Sequence, residues 1–171
     1  MARTTIDELL ADARRRLTRL DPAKALQAMR AGAALIDIRS DSQIARDGIV
    51  TGALVIPRNV LEWRLDPASQ LRHPCAPQLD DQVILLCDEG CQSSLAAATL
   101  QQLGFARATD VEGGFQAWRA AGLPVEQPSP PPPIRRKRRS RRRQTPSPQR
   151  LRPPRLQSPR RRATSRTVRP G

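Results

Sequence analysis

Residues 82–104 read QVILLCDEGCQSSLAAATLQQLG, and this stretch decides the fold. Its first half is a short continuous apolar run, which is typical of a strand buried on both faces of a parallel sheet. The run ends at Cys87 in a short polar loop. The second half has the pattern of a helix, with Ser93 as the predicted N-cap and Gly104 as the stop. The stretch therefore predicts a strand, a tight loop and a helix, with a cysteine where the strand ends.

Further short apolar segments and helical patterns flank this unit. The predicted strands are residues 34–38 (ALIDI), 53–57 (ALVIP) and 109–111 (TDV). The predicted helices are residues 1–17, with a capping-box pattern at Thr5 and Glu8, a segment from Asp21 to Gly32, and GGFQAWRAAG at residues 113–122. Apolar strands that alternate with helices predict an α/β fold, in which helices cover both faces of a parallel sheet.

Charge and proline content divide the chain at residue 126. The 171 residues carry a formal net charge of +14, yet residues 127–171 hold 16 of the 30 Lys and Arg, 11 of the 17 prolines and none of the 16 acidic residues. Residues 1–126 are thus slightly acidic and long enough for one domain. Residues 127–171 have few large apolar side chains and are predicted to be disordered.

Several features bear on where the protein works. The N-terminal residues lack the apolar stretch of a signal peptide, and no run approaches the ~18 apolar residues of a membrane span. Three cysteines without a secretory signal favour free thiols in a reducing compartment. A cytoplasmic protein without a transmembrane segment is expected.

The loop after the apolar strand is the candidate site. Ligands of parallel α/β folds bind at the carboxyl ends of the strands, where Cys87 is placed. Backbone amides and the N-terminus of the following helix favour a thiolate, a persulfide or a small anion there. Gly90 allows a tight turn, and Ser93 and Ser94 offer hydroxyl groups. The competing interpretation is that Cys87 is an ordinary buried cysteine.

Four segments, in this order, resemble the landmarks of single-domain rhodanese-like proteins. They are Asp37-Ile38-Arg39, GALVIP at residues 52–57, CDEGCQS at residues 87–93 and VEGGFQAW at residues 111–118. The resemblance covers about residues 18–126 and implies a five-stranded parallel sheet with helices on both faces. It implies sulfur transfer: a loop thiolate takes sulfane sulfur from a donor, becomes a persulfide and passes the sulfur to a thiol or another nucleophilic acceptor.

On this resemblance, Cys87 is the nucleophile and the loop from Asp88 to Ser93 binds the substrate. The binding loop comprises Asp88, Glu89, Gly90, Cys91, Gln92 and Ser93. Structural roles are expected for Asp37, Arg39, Gly113, Gly114 and Trp118. No cofactor is implied.

The loop departs from the family pattern Cys-x-x-Gly-x-Arg-Ser at the arginine, and it has acids at the two positions after the cysteine, which are often neutral or basic. Gln92 stands where active members commonly have arginine, and Asp88 and Glu89 follow the cysteine directly. Two carboxylates within ~6 Å would each disfavour a thiolate by about 1–3 kcal/mol, and they would repel a doubly charged donor such as thiosulfate. A persulfide or a neutral donor suits the loop better. The same departures favour the alternative that the domain is an inactive binding module.

Other residues near the loop have open interpretations. Arg58, Trp63 and Arg64 would form a pocket rim if residues 57–66 fold over the loop; otherwise the arginines are solvated. Cys91 could resolve a persulfide on Cys87 as an intraloop disulfide, provided that the Cα atoms lie within ~7 Å, or it is an incidental small residue. Trp118 fits the core.

Two alternative site chemistries fit the sequence less well. A phosphatase of the Cys-x5-Arg type needs an arginine at position 93, which is serine, and the loop acids oppose a phosphate dianion. A metal site from His73, Cys75, Cys87 and Cys91 would lack the usual zinc spacing.

The basic tail predicts nonspecific, salt-dependent contact with nucleic acid or another anionic surface through residues 135–169. This gives a third functional hypothesis, a protein tethered to a polyanion. A dispensable extension is the alternative, and a GC-rich gene read past its stop codon or out of frame also yields such arginine–proline strings.

Overall fold

The structure is a computed structural model, and it describes residues 3–127. Six α-helices in this part are α1 (Ile6–Arg16), α2 (Pro22–Arg30), α3 (Asp41–Asp47), α4 (Leu61–Leu65), α5 (Gln92–Gln102) and α6 (Gly114–Ala120). The strands are β1 (Ala34–Asp37), β2 (Ile49–Val50), β3 (Leu54–Val55), β4 (Val83–Leu86), β5 (Ala108–Asp110) and β6 (Val125–Glu126). A short 3-10 helix, Arg58–Val60, precedes α4. The predicted tail lies outside the described residues from position 128 onward.

Local sequence explains where the first two helices begin. The side chain of Thr5 accepts a hydrogen bond from the backbone of Glu8, whose carboxylate in turn accepts from the backbone of Thr5. The Asp21 side chain caps α2, which has Pro22 in its first turn. Both capping residues match the sequence prediction, although α1 begins at Ile6 rather than at residue 1. α1 then packs against α5.

The main sheet is parallel and has the order β3-β1-β4-β5. β1 pairs with β4 from Ala34–Val83 to Asp37–Leu86, so the two strands end at the same level. The family resemblance implies five strands; the fifth position is occupied by a single parallel bridge from Leu20 to Val111, beside β5. β2 and β6 form a separate antiparallel pair. The fold is the expected α/β sheet with one strand reduced to a bridge.

Helices cover both faces of this sheet, as the alternation of strands and helices predicts. On one face, Ile36 and Leu85 pack with side chains of α4 and α5, including Leu61 and Leu100. On the other face, side chains of α2 and α6 pack on the sheet, and Trp118 of α6 is fully buried. Because β4 is buried along its whole length, the loop that follows it is held by core packing on both sides.

Within residues 3–127, no helix is long and apolar enough to cross a membrane.

Candidate active site

Cys87 lies directly after β4, and its sulfur points into the loop that leads to α5. The side chain is 3% exposed. Its Sγ accepts a hydrogen bond from the backbone N–H of Gly90 at 3.1 Å and lies 3.2 Å from Oγ of Ser93. The structure thus brings together Cys87, Gly90 and Ser93, which the sequence singles out. A hydrogen bond from a backbone amide suits a sulfur that carries negative charge.

The prediction that Ser93 caps the following helix is wrong. α5 starts at Gln92, with Cys91 in the N-cap position and no side-chain cap. Ser93 lies in the first turn of α5, where its hydroxyl donates to Oδ2 of Asp110 at 2.9 Å. The hydroxyl is drawn inward because a fully buried carboxylate at the end of β5 needs donors. Ser93 therefore links the cysteine to a carboxylate.

Asp110 is the centre of a buried polar network. Its Oδ2 also accepts a hydrogen bond from Ser94 at 2.7 Å, and Arg19 binds the carboxylate through Nε and Nη2 at 2.8 and 3.1 Å. The single hydroxyl proton of Ser93 can point to Asp110 or to Cys87. When the sulfur is anionic, that proton can turn to it, because Ser94 and Arg19 still satisfy the carboxylate.

The charge state of Arg19 is fixed by this network. Burial of the guanidinium lowers its pKa, but hydrogen bonds to Asp110 and the charge of Asp110 outweigh that effect, so the pKa is raised above its ordinary value. Arg19 also donates to the carbonyl oxygen of Gly90 at 3.1 Å. A permanent cation is therefore attached to the back of the cysteine loop.

A second arginine reaches the same carbonyl from α1. Nη2 of Arg14 donates to the oxygen of Gly90 at 3.0 Å and lies 3.8 Å from Sγ of Cys91. Nε of Arg14 lies 3.4 Å from Oγ of Ser94. The first nineteen residues thus contribute two arginines to the loop, a role that no local sequence pattern indicates.

The cysteine loop packs closely against the start of α6, and each side of this contact has a glycine. Gly90 and Gly114 have φ angles of +78° and +57°, in the left-handed region that favours glycine. The N–H of Phe115 donates to the carbonyl oxygen of Cys87 at 2.8 Å, and that of Gln116 donates to Asp88 at 3.1 Å. A Cβ on Gly114 would lie 2.5 Å from the carbonyl oxygen of Cys87. The start of α6 and the loop are therefore in backbone contact.

A cavity of about 270 Å³ opens at the loop. The residues that line it are Gln43, Cys87, Asp88, Glu89, Cys91 and Gln92. No lysine or arginine of residues 3–127 is among them. A neighbouring cavity of about 450 Å³ shares Gln43 and Gln92 with it and extends to Arg39 and Arg58. Gln43 and Gln92 therefore lie where the cysteine cavity meets the cavity that reaches Arg39 and Arg58.

The two acids of the loop have different surroundings. Asp88 accepts a hydrogen bond from Nε2 of Gln116 at 2.9 Å. The pKa of Arg46 is raised above its ordinary value, chiefly by its hydrogen bond to Asp47 and by the charge of Asp47, against a smaller opposing effect of burial. The negative charge of Asp88 also contributes to this rise. Glu89 is exposed. The charge of Asp88 is thus partly compensated, and Glu89 faces an incoming anion more directly.

The three rim candidates separate in the structure. Arg58 lines the neighbouring cavity and pairs with Glu62 at 2.7 Å. Trp63 is 58% exposed and lines, with Arg64, a different apolar depression that also includes Leu71. The structure therefore places Arg58 near the loop, and Trp63 and Arg64 elsewhere.

Asp37 and Arg39 form a fully buried pair at the end of β1. Nη2 of Arg39 lies 2.6 Å from Oδ2 of Asp37 and donates to the carbonyl oxygen of Gly48 at 2.8 Å. The guanidinium carbon stacks 3.6 Å from the ring centre of Phe115. This pair ties β1 to α6 on the same side of the sheet as the loop. Trp118 lies deeper, with Nε1 bound to the carbonyl oxygen of Pro124.

The remaining cysteine lies away from the site. Cys75 is exposed, and its backbone N–H donates to Nδ1 of His73 at 3.1 Å. Across residues 3–127, no three His, Cys, Asp or Glu side chains form a group that could hold a metal ion. All three cysteines are free thiols.

Comparisons with known proteins show the family to which the chain belongs. A family model of the rhodanese-like domain matches residues 21–121. The chain belongs to the rhodanese-like family. A sulfurtransferase of Allochromatium vinosum is 32% identical over 94 residues, which are 55% of this chain and 78% of that protein. The thiosulfate sulfurtransferase GlpE of Pseudomonas putida is 35% identical over 103 residues, which are 60% of this chain and 84% of GlpE.

Among solved structures, this rhodanese-like chain is similar to a protein of unknown function from Rhodopseudomonas palustris, described as a possible tyrosine phosphatase. The TM-score is 0.66 and the identity 34%, over 74% of this chain and 99% of the other. Arg14 and Arg19 precede the matched residues 21–121, so two of the contacts to the cysteine loop come from outside the region that defines the family.

Proposed function

We propose that this rhodanese-like protein is a sulfurtransferase that carries sulfane sulfur as a persulfide on Cys87. The observation that carries the proposal is the position of the Cys87 sulfur, bound by the Gly90 amide at 3.1 Å and next to Ser93, at the base of an open cavity. The relatives named as sulfurtransferases support the same chemistry. Sulfane sulfur added to Cys87 would extend into this cavity, toward a nucleophilic acceptor.

We further propose that the donor is a protein persulfide or a neutral donor rather than thiosulfate. A cavity lined by Asp88 and Glu89, without a lysine or arginine from residues 3–127, repels a dianion. Each pair of unit charges about 6 Å apart contributes about 1–3 kcal/mol at intermediate dielectric. Gln92, at the position of the usual arginine, offers a dipole and no compensating charge. A donor with one charge or none avoids most of this repulsion.

The deciding experiment is cyanide-trapped sulfur transfer with thiosulfate and with a persulfide donor. Wild type should turn over the persulfide donor faster, and Cys87→Ser should abolish turnover with both. Cys75→Ser is the matched control, because Cys75 is exposed and lies outside the cavity. Equal activity of wild type and Cys87→Ser with both donors would refute sulfur transfer at Cys87. Faster turnover of thiosulfate would refute only the assignment of the donor.

A binding module without catalysis is the second candidate, and the acidic, arginine-free lining of the cavity favours it. In that case the loop contacts a partner and Cys87 does no chemistry. The same assay separates the two, because a binding module shows no turnover that depends on Cys87. Contact of residues 135–169 with nucleic acid or another polyanion is a further proposal, supported by their charge in the sequence.

A further inference from the structure

Two thiols of very different accessibility open on one cavity. Cys87 is 3% exposed, whereas Cys91 is exposed, and both line the cavity of about 270 Å³. Gly90, whose amide donates to the Cys87 sulfur, immediately precedes Cys91 in the chain. An outer sulfur on Cys87 would point away from the buried side of the loop and into the space that Cys91 lines. A small acceptor can enter that space, but a thiol on the surface of a folded protein reaches Cys91 more easily.

The exposed thiol has a cation beside it that the buried thiol lacks. Nη2 of Arg14 lies 3.8 Å from Sγ of Cys91 and is held there by its hydrogen bond to the carbonyl oxygen of Gly90. Cys91 also precedes the first turn of α5, where backbone N–H groups face outward. A guanidinium and a helix N-terminus both stabilise negative charge on sulfur. Arg14 comes from α1, which precedes the matched residues 21–121.

We propose that Cys91 is a relay thiol that takes the sulfane sulfur from Cys87 and presents it to a protein thiol acceptor, with Arg14 as its positioning residue. This inference rests on the proposed persulfide at Cys87. The thiolate of Cys91 attacks the outer sulfur of the Cys87 persulfide. A new S–S bond forms on Cys91, the S–S bond on Cys87 breaks, and its electron pair returns to Cys87 as a thiolate. The proton on the outer sulfur moves with it, so no oxidant or reductant is consumed.

The relay differs from resolution of the persulfide by Cys91. Resolution requires attack on the inner sulfur, which is the buried Sγ of Cys87, and it produces a disulfide and free sulfide. The outer sulfur is the one that extends into the cavity, so attack there needs less movement of the loop. Once the outer sulfur releases its proton to solvent, Arg14 pairs with the negative charge of the persulfide on Cys91.

The test uses the full chain loaded with an organic persulfide, followed by alkylation and mass spectrometry that locates the extra sulfur. We expect the extra sulfur on both Cys87 and Cys91 in wild type. In Cys87→Ser we expect none on Cys91, because Cys91 receives its sulfur from Cys87. Cys91→Ser should lower transfer to serum albumin, a protein thiol, about tenfold more than it lowers transfer to cyanide. Cys75→Ser should retain both activities.

Arg14→Gln should reduce transfer to the protein thiol several-fold more than transfer to cyanide, and Arg14→Lys should restore part of that difference. A merely structural role would reduce both transfers equally. Arg15→Gln is the control on the same helix, because Arg15 pairs with Asp12 and makes no contact with the loop. An extra sulfur that stays on Cys87 alone would overturn the relay and keep the proposed function. A Cys87–Cys91 disulfide with released sulfide would also overturn the relay. Absence of sulfur from Cys87 would overturn both.

Discussion

A methyl group at Gly114 should push the cysteine loop out of place. The Cβ of an alanine there would lie 2.5 Å from the carbonyl oxygen of Cys87, 2.7 Å from that of Asp88 and 2.7 Å from the nitrogen of Gly90. All three neighbours are backbone atoms, so no side-chain rotation relieves the overlap. The φ angle of +57° adds strain, because alanine rarely adopts it.

The expected cost can be worked out from these two contributions. The left-handed conformation costs an alanine about 1–2 kcal/mol, and forced overlap in a packed region costs about 1–3 kcal/mol. Gly114→Ala should therefore lower the free energy of unfolding by about 2–5 kcal/mol. Gly122 is the matched control: its φ angle is +66°, and nothing lies within 4 Å of a Cβ there. Gly122→Ala should cost only the conformational part, about 1–2 kcal/mol.

Urea unfolding of the two variants measures these costs, and the rate of iodoacetamide alkylation of Cys87 reports on the loop. Gly114→Ala should be the less stable variant and should expose Cys87, while Gly122→Ala should leave the alkylation rate unchanged. Equal losses of stability would show that the contact between α6 and the loop is not tight. Equal alkylation rates in a less stable Gly114→Ala would show that the contact does not hold the sulfur.

Three further perturbations test other parts of the site. Asp110→Asn should lower the free energy of unfolding by about 3–5 kcal/mol in urea, because it leaves Arg19 without its buried partner; an unchanged midpoint would contradict the network. Gln92→Arg should raise thiosulfate turnover about tenfold by bringing a cation to the cavity. An unchanged turnover would show that the charge of the cavity does not decide which donor the protein uses. Hydrogen bonds from the backbone and side chain of Thr5 hold the pKa of Glu8 below its ordinary 4.5, so the stabilisation of α1 is present above pH 4.5 and lost as the pH falls through the lowered value. Helicity of α1 by hydrogen exchange should follow that loss, and Thr5→Ala should weaken the pH dependence, because it removes the side-chain hydrogen bond and keeps the backbone one.

The strand, loop and helix around Cys87 are predictable because their signals are local. A continuous apolar run identifies β4, and its end fixes the site, since carboxyl ends of parallel strands are where such folds bind ligands. The reduction of the fifth strand to the single bridge at Leu20 has no comparable signal. The length of strand pairing at this edge depends on how the chain around Leu20 packs beside β5, and the sequence around Leu20 does not specify that packing.

The network behind the loop is not predictable from local patterns, because its members are far apart in sequence. Arg19 and Asp110 are 91 positions apart, and Arg14 and Gly90 are 76 apart. The available signal is Asp110 itself. A carboxylate at the end of a buried strand requires a hydrogen-bond donor or a cation from another part of the chain. The misassigned role of Ser93 has the same origin, since its hydroxyl serves Asp110 rather than the helix end.

Position 92 lines the cysteine cavity, and its glutamine carries no charge. A cation at this position would stabilise the sulfur and also bind an anionic donor. Here Arg19 binds the carbonyl oxygen of Gly90 and the carboxylate of Asp110, neither of which belongs to the cavity lining, while Glu89 and Gln92 line the cavity itself. Arg19 therefore holds the loop without contributing its charge to the cavity lining. Conversion to a thiosulfate enzyme should require changes in the cavity lining only, whereas removal of Arg19 should affect every donor through the loop.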